Sequence, residues 1–247
     1  MQKQFSRTEI LIEQDGLNRL KSSTVLVFGI GGVGSFTVEA LARAGVGRLI
    51  MVDNDHICLT NLNRQLHALH STLGKSKVEV MKQRILDINP AIEIEVFKSY
   101  YTENDADKFL NRKMDYVVDA IDTVAGKVSL AKECLQRNIP FISSMGAGNR
   151  LTVANFRVAD ISKTSGCPLA KAMRKLLRQQ GISKGIKVVF SPDLPLKLLG
   201  IPNHSSHCSD KNRSIPGSIS FVPSVVGLLI AGEVIRDLLN FPREKYK

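Results

Sequence analysis

The stretch Gly29-Ile30-Gly31-Gly32-Val33-Gly34 restricts the fold of this chain more than any other. It follows the apolar run Val25–Phe28 and opens the helix-like segment Gly34–Ala44. Strand, glycine turn and helix in that order bring bare backbone to the positive end of a helix dipole, where a phosphate is stabilised. No Gly-Lys-Ser/Thr closes the turn, so it is not a Walker A loop. In doubly wound sheets with such a turn, an acidic residue ending the second strand holds ribose hydroxyls, and Asp53 follows Leu49–Val52 at that place. A dinucleotide or adenosine site follows from this grouping.

From Thr24 to Ser144 short apolar runs alternate with helix-like segments, the pattern of a parallel sheet flanked by helices. Strands are expected at Val25–Phe28, Leu49–Val52, Ile92–Val96, Tyr116–Asp119 and Phe141–Ser143, and helices near Gly34–Ala44, Lys75–Ile88, Asp105–Leu110 and Val124–Arg137. After Ala147 the residues Leu151–Val158 alternate apolar and polar, as a half-exposed antiparallel strand does. A basic helix Pro168–Gln180, a strand Ile186–Ser191, a mobile loop over 192–216 and an apolar helix Val225–Leu239 complete the chain. That last helix would be about 22 Å long and carries Glu233 and Arg236, so it suits core packing rather than a bilayer. The fold class is therefore α/β: a doubly wound, Rossmann-like, mostly parallel sheet with antiparallel strands added by the C-terminal half. One domain is expected over 1–247, with a nucleotide-binding half at 1–146 and a substrate-facing half at 147–247.

Composition narrows the setting. Among 247 residues the basic side chains exceed the acidic ones by a net charge of +11, which favours a polyanionic partner. The four cysteines, Cys58, Cys134, Cys167 and Cys208, form no C-x-x-C pair, and Met1–Arg19 has no apolar stretch of the kind that directs export. A reducing cytoplasm is the expected compartment.

NAD is the first ligand such a turn suggests, and the residues after Asp53 argue against it. The run Asp53–Gln65 is dense in polar side chains, including Asp55, Asn61 and Arg64, and Lys77 follows at the start of a helix. Hydride transfer has little use for two cations beside a pyrophosphate, whereas attack at the α-phosphorus of a triphosphate needs them. Arg64 offers a planar fork to phosphate oxygens and Lys77 a point charge, while Asn61 and Gln65 suit sugar or phosphate oxygens. Asp122, just past the fourth strand, could hold magnesium on the triphosphate or cap the helix from Val124.

Together these pieces resemble the ubiquitin-activating-enzyme-like superfamily of the ThiF and MoeB type, which includes the adenylyltransferases of sulfur carriers. The motifs are Gly-x-Gly-Gly-x-Gly at 29–34, Ala-Gly-Val-Gly at 44–47, Asp-x-Asp at 53–55, Asn-x-Asn-Arg-Gln at 61–65, Lys77, Asn-Pro at 89–90 and Asp122. The resemblance implies ATP held through Gly29, Gly31, Gly32, Gly34, Asp53, Asp55, Asn61, Arg64, Gln65 and Lys77. It makes Arg64, Lys77 and Asp122 the catalytic set, with Mg²⁺ at Asp122. It also implies a homodimer, in which Arg7 would reach the partner subunit's nucleotide.

The second half is similar to one branch, the tRNA threonylcarbamoyladenosine dehydratases, through Asp160-Ile-Ser-Lys163-Thr164, Pro168-Leu169 with the basic helix, and Gly217–Pro223. That branch activates a carboxylate in the tRNA anticodon loop with ATP and cyclises it. The resemblance thus implies tRNA as partner, for which Lys171, Arg174, Lys175 and Arg178 are the candidate surface, with Lys184 and Lys187 beyond. Activation of a ubiquitin-like sulfur carrier is the alternative, and a sulfur-transfer protein is a further candidate partner. Cys167 is an alternative nucleophile without an identifiable base, and His204, His207 and Cys208 are a metal set only on paper. His56, His67 and His70 show no carboxylate or nucleophile partner in the sequence.

Overall fold

A computed structural model describes residues 4–197 and 216–241. The chain forms α1 (Ser6–Ser22), β1 (Thr24–Phe28), α2 (Gly34–Ala44), β2 (Arg48–Val52), α3 (Lys77–Ile88), β3 (Glu93–Phe97) and α4 (Ala106–Leu110). It continues through β4 (Tyr116–Asp119), α5 (Val124–Gln136), β5 (Phe141–Ser144), β6 (Arg157–Asp160), α6 (Pro168–Gln179), β7 (Lys187–Phe190) and α7 (Phe221–Leu238). The seven strands make one sheet in the order β3-β2-β1-β4-β5-β7-β6.

The strand residues are short apolar runs buried on both faces, as parallel strands sandwiched between helices must be. One face packs against α1, α2, α3 and α7 through Leu20, Val38, Met81 and Val226. The other packs against α4, α5 and α6 through Phe109, Leu130 and Met173. The helices α2 and α7 approach closely at Gly227, where an added Cβ would lie 2.4 Å from the Val33 carbonyl oxygen, and the Thr37 hydroxyl donates to the Gly227 carbonyl.

Most expected elements form within a residue or two of their expected limits. The C-terminal half adds two strands, but only β6 is antiparallel; β7 joins β5 in parallel. The expected strand Leu151–Val158 shrinks to its last residues and extends to Asp160. Its ladder partner β7 spans only Lys187–Phe190, and the chain before it turns, with the Phe156 N–H donating to the Val153 carbonyl. Helix α7 begins a turn earlier than Val225, with Pro223 in its first turn, where the missing N–H costs nothing. Helix α1 has no counterpart in the sequence reading. Only Leu17 and Leu20 of it are buried, and Glu13 breaks it with φ 61°, so it carries a weak helical pattern. Of the expected mobile loop, Pro192–Lys197 is tied down: Asp193 accepts from Asn155 and the Leu196 N–H donates to the Asn149 carbonyl. Residues 198–215, with His204, His207 and Cys208, lie outside the described residues.

Candidate functional site

Strand order reverses between β1 and β4, which is where doubly wound sheets open a crevice at their carboxyl edge. The glycine turn leaves β1 at that point and the Asp119–Asp122 turn leaves β4 beside it. Gly29 has φ +85° and sits so close to Ala120 that a Cβ would lie 2.6 Å from its carbonyl oxygen. At Gly34 a Cβ would lie 1.8 Å from the Gly29 carbonyl oxygen. A side chain at Gly29 would push the two turns apart, and one at Gly34 would break the glycine turn itself.

Asp53 closes the turn from below. Its Oδ2 accepts the Ile30 N–H at 2.6 Å and its Oδ1 the Asp55 N–H at 2.8 Å. Burial raises its carboxyl above the ordinary range, against the opposing pull of the Lys77 cation and of those two N–H groups. Lys77, at the start of α3, is buried, and its Nζ lies 2.6 Å from Asp55 Oδ2.

Arg64 lies over the turn: a Cβ on Gly32 would meet the Arg64 Cγ at 3.4 Å. Its guanidinium donates to the Thr60 carbonyl at 2.8 Å and the Asn63 side-chain oxygen at 2.9 Å, both neutral acceptors. Desolvation lowers its pKa, and no carboxylate among the described residues lies in ion-pair range. A half-buried guanidinium without an anion fits a site that receives one.

Gln65 is buried with its side-chain oxygen unpartnered, a free acceptor against the turn. Asn61 is occupied differently, accepting the Cys58 N–H at 3.0 Å and bracing the segment that carries Arg64. Asp122 is exposed in the turn after β4. The cap position of α5 belongs to Thr123, so the capping reading of Asp122 fails. No cluster of three His, Cys, Asp or Glu among the described residues could cage a metal. A lone exposed carboxylate beside the phosphate turn suits Mg²⁺ carried on a triphosphate, which keeps phosphate and water ligands and takes one or two from protein.

Lys127, His67, Asn149 and Arg150, none of them a candidate site residue from the sequence, brace this arrangement. Lys127, 1% exposed, places its ammonium 3.1 Å from both oxygens of fully buried Asp119, and Asp119 accepts the Ile121 N–H. His67 bonds the Ile30 carbonyl through Nε2 at 2.7 Å. Asn149 accepts the Leu196 N–H on its carbonyl and the Gly217 N–H on its side-chain oxygen, and Arg150 donates to the Asp193 carbonyl at 2.8 Å. The Asn63 side chain donates to the Ser218 carbonyl at 2.9 Å and so links the arginine segment to the returning chain. No local pattern marks Lys127, Asn149 or Arg150, and the partner of His67 is a backbone carbonyl, which no side-chain pattern can reveal.

The other expected residues lie apart. Lys171, Lys175 and Arg178 are exposed along α6, whereas Arg174 is spent on Thr164, donating to both its carbonyl and its hydroxyl. Cys167 is 3% exposed, packed against Gly146 with no base beside it among the described residues. Arg7 is exposed on α1, in the segment that packs through Phe5 against Gly45 at the far end of α2 from the phosphate turn. His56 and His70 are exposed.

The doubly wound sheet, the glycine turn at its switch point and the anion-free arginine over that turn define a class: a nucleotide-binding α/β protein. The chain belongs to the ThiF family, whose profile matches residues 5–247. It is 50% identical over 242 residues to the tRNA threonylcarbamoyladenosine dehydratase of Bacillus subtilis, covering 96% of this chain and 95% of that one. The crystal structure of the Escherichia coli tRNA N6-threonylcarbamoyladenosine dehydratase in complex with ATP superposes with a TM-score of 0.86 at 31% identity, covering 96% of this chain and 94% of that chain. The same enzyme in complex with AMP matches with a TM-score of 0.86 at 32% identity over the same shares.

Proposed function

We propose that this chain catalyses the ATP-dependent dehydration of threonylcarbamoyladenosine in tRNA, closing it to a cyclic form through an acyl adenylate. The near full-length similarity to dehydratases, one of them solved with ATP, carries this reading. The anion-free Arg64 over the glycine turn supplies its chemistry. Relatives that activate sulfur carriers share the fold class, but the full-length matches favour the tRNA reaction.

In this reading the substrate carboxylate attacks the α-phosphorus of ATP, and the bond to pyrophosphate breaks. Arg64 and Lys77 stabilise the charge that gathers on the phosphate oxygens. Lys77 would then share its ammonium between Asp55 and a phosphate. Asp53 has a lone pair left on each oxygen for ribose hydroxyls, and Gln65 offers its unpartnered oxygen to a sugar hydroxyl. Mg²⁺, held by Asp122, would neutralise further charge on the triphosphate. A nucleophile within the substrate then attacks the activated carbonyl carbon and gives up its proton, and the bond to AMP breaks; AMP keeps the former carboxylate oxygen, so the substrate itself ends one water lighter. Ring closure asks the enzyme for position rather than for its own nucleophile, which fits the buried, baseless Cys167.

The same reading makes 1–247 one domain, supported by the ladder of β7 on β5 and the packing of α7 on α2. It places tRNA along the exposed cations of α6 and the protein in the cytoplasm, and pairs two copies so that Arg7 serves the partner's nucleotide. It leaves a sulfur-transfer protein as a candidate partner. Mass spectrometry of tRNA nucleosides after incubation with ATP, Mg²⁺ and this protein tests the activity. Loss of one water from threonylcarbamoyladenosine is the expected result. Unchanged nucleosides, with pyrophosphate exchange that depends on a sulfur carrier, would select the alternative.

A further inference from the structure

We propose that His67 is a positioning residue for the nucleotide, acting through the Ile30 carbonyl. The inference rests on the nucleotide-binding reading of the glycine turn. With four glycines in six positions, that turn has few side chains with which to fix its own shape. Ile30 supplies one, fully buried in the core, and the two peptide groups on either side of it are each gripped. Asp53 takes the N–H at 2.6 Å, and the His67 ring meets the carbonyl at 2.7 Å.

A carbonyl only accepts, so Nε2 carries the proton. The ring's other nitrogen, Nδ1, is buried without a partner, and His67 as a whole is 2% exposed. A second proton would therefore sit on an unpaired buried nitrogen, with the Lys77 cation nearby. Burial first, and then Lys77, outweigh the bond to Ile30 and push the imidazole down to about 4. His67 is thus a permanently neutral donor at working pH, fixed in one tautomer. It is one of two posts for the turn and Asp53 is the other, so the histidine shapes the phosphate site without touching the ligand.

The test compares wild type with His67→Phe, His67→Gln and His67→Asn by ATP titration calorimetry and by steady-state dehydration kinetics. Gln places an amide N–H near the position of Nε2, whereas Asn stops short of it. We expect His67→Phe and His67→Asn to raise the ATP Kd and KM by roughly tenfold, the worth of one buried hydrogen bond, with a smaller change in kcat. His67→Gln is expected to recover most of the loss. A residue that only fills space would lower the folded fraction, and kcat with it, at unchanged KM. Should His67→Phe fail to fold, the comparison of Gln with Asn still decides, and equal ATP affinity in those two overturns the proposal. In wild type, ¹⁵N spectra of labelled histidine should show a neutral ring protonated at Nε2 near pH 6, and a ring protonated at Nδ1 overturns the proposal as well. Absence of ATP binding by the wild-type protein instead strikes the nucleotide reading itself, which separates the two failures.

Discussion

Replacing Lys127 by Met removes the cation paired with Asp119, whose carboxylate is fully buried. The ammonium also donates to the Ser144 carbonyl at 2.8 Å, while the Ser143 hydroxyl bonds Asp119 at 2.5 Å. Methionine fills the lysine's volume, so the change is largely electrostatic. Asp119 keeps the Ser143 hydroxyl and the Ile121 N–H, neither of which carries charge. Stranding one partner of a buried pair costs about 3–5 kcal/mol. At roughly 2–4 °C per kcal/mol for a chain of this size, the melting temperature should fall by about 6–20 °C. Asp119→Asn alone should also destabilise, because it strands the ammonium. The double variant Lys127→Met/Asp119→Asn, which buries no charge, should lie well above the sum of the two losses, with a coupling on the order of 2 kcal/mol. Urea unfolding of the four proteins followed by circular dichroism measures the cycle. Additive losses would refute the claim that the pair holds the β4 turn as a unit. ATP affinity should fall in the single variants too, because Asp119 anchors the Ile121 N–H in the turn that abuts Gly29.

Arg64→Ala or Lys77→Ala should lower dehydration at least about 100-fold, since each removes a charged group from the phosphates, while tRNA affinity measured by filter binding stays within about twofold. Equal loss of both activities would refute those roles. His67 has a folded pKa of about 4, against about 6.5 unfolded, so its contribution to stability is complete above the unfolded value and is lost as pH falls toward the folded one. The loss approaches about 3 kcal/mol, and His67→Gln should flatten the difference in urea midpoint between about pH 7 and pH 5. Charge reversal at Lys171, Lys175 and Arg178 should weaken tRNA binding and its salt dependence while leaving the ATP KM alone; unchanged binding would move the RNA surface off α6. Cys167→Ser should retain turnover, and an inactive, folded variant would restore the covalent alternative.

The grouping of the glycine turn, Asp53, Arg64 and Lys77 was legible because each is a local signature: a tight turn needs glycine, and polar residues crowded just after a strand end gather at the edge of the sheet. The parallel core was legible for a similar reason, since Val25–Phe28, Leu49–Val52 and Tyr116–Asp119 are apolar on both faces and short. Helix α1 escaped because burial of Leu17 and Leu20 alone leaves too thin a stripe to read. The strand at Leu151–Val158 was misplaced because alternation gives a propensity to pair, and the length of the ladder is set by the partner, β7.

By itself, then, the amino-acid sequence determined the sheet, the glycine turn and the charged groups near it, because those depend on residues adjacent in the chain. Only the tertiary structure decided which charges are spent and which are free. Arg174 bonds Thr164 and Lys127 neutralises Asp119, whereas Arg64 reaches the glycine turn without an anion. That division depends on desolvation and on partners brought together from distant parts of the chain, and burial is a property of the packed fold that no local pattern records.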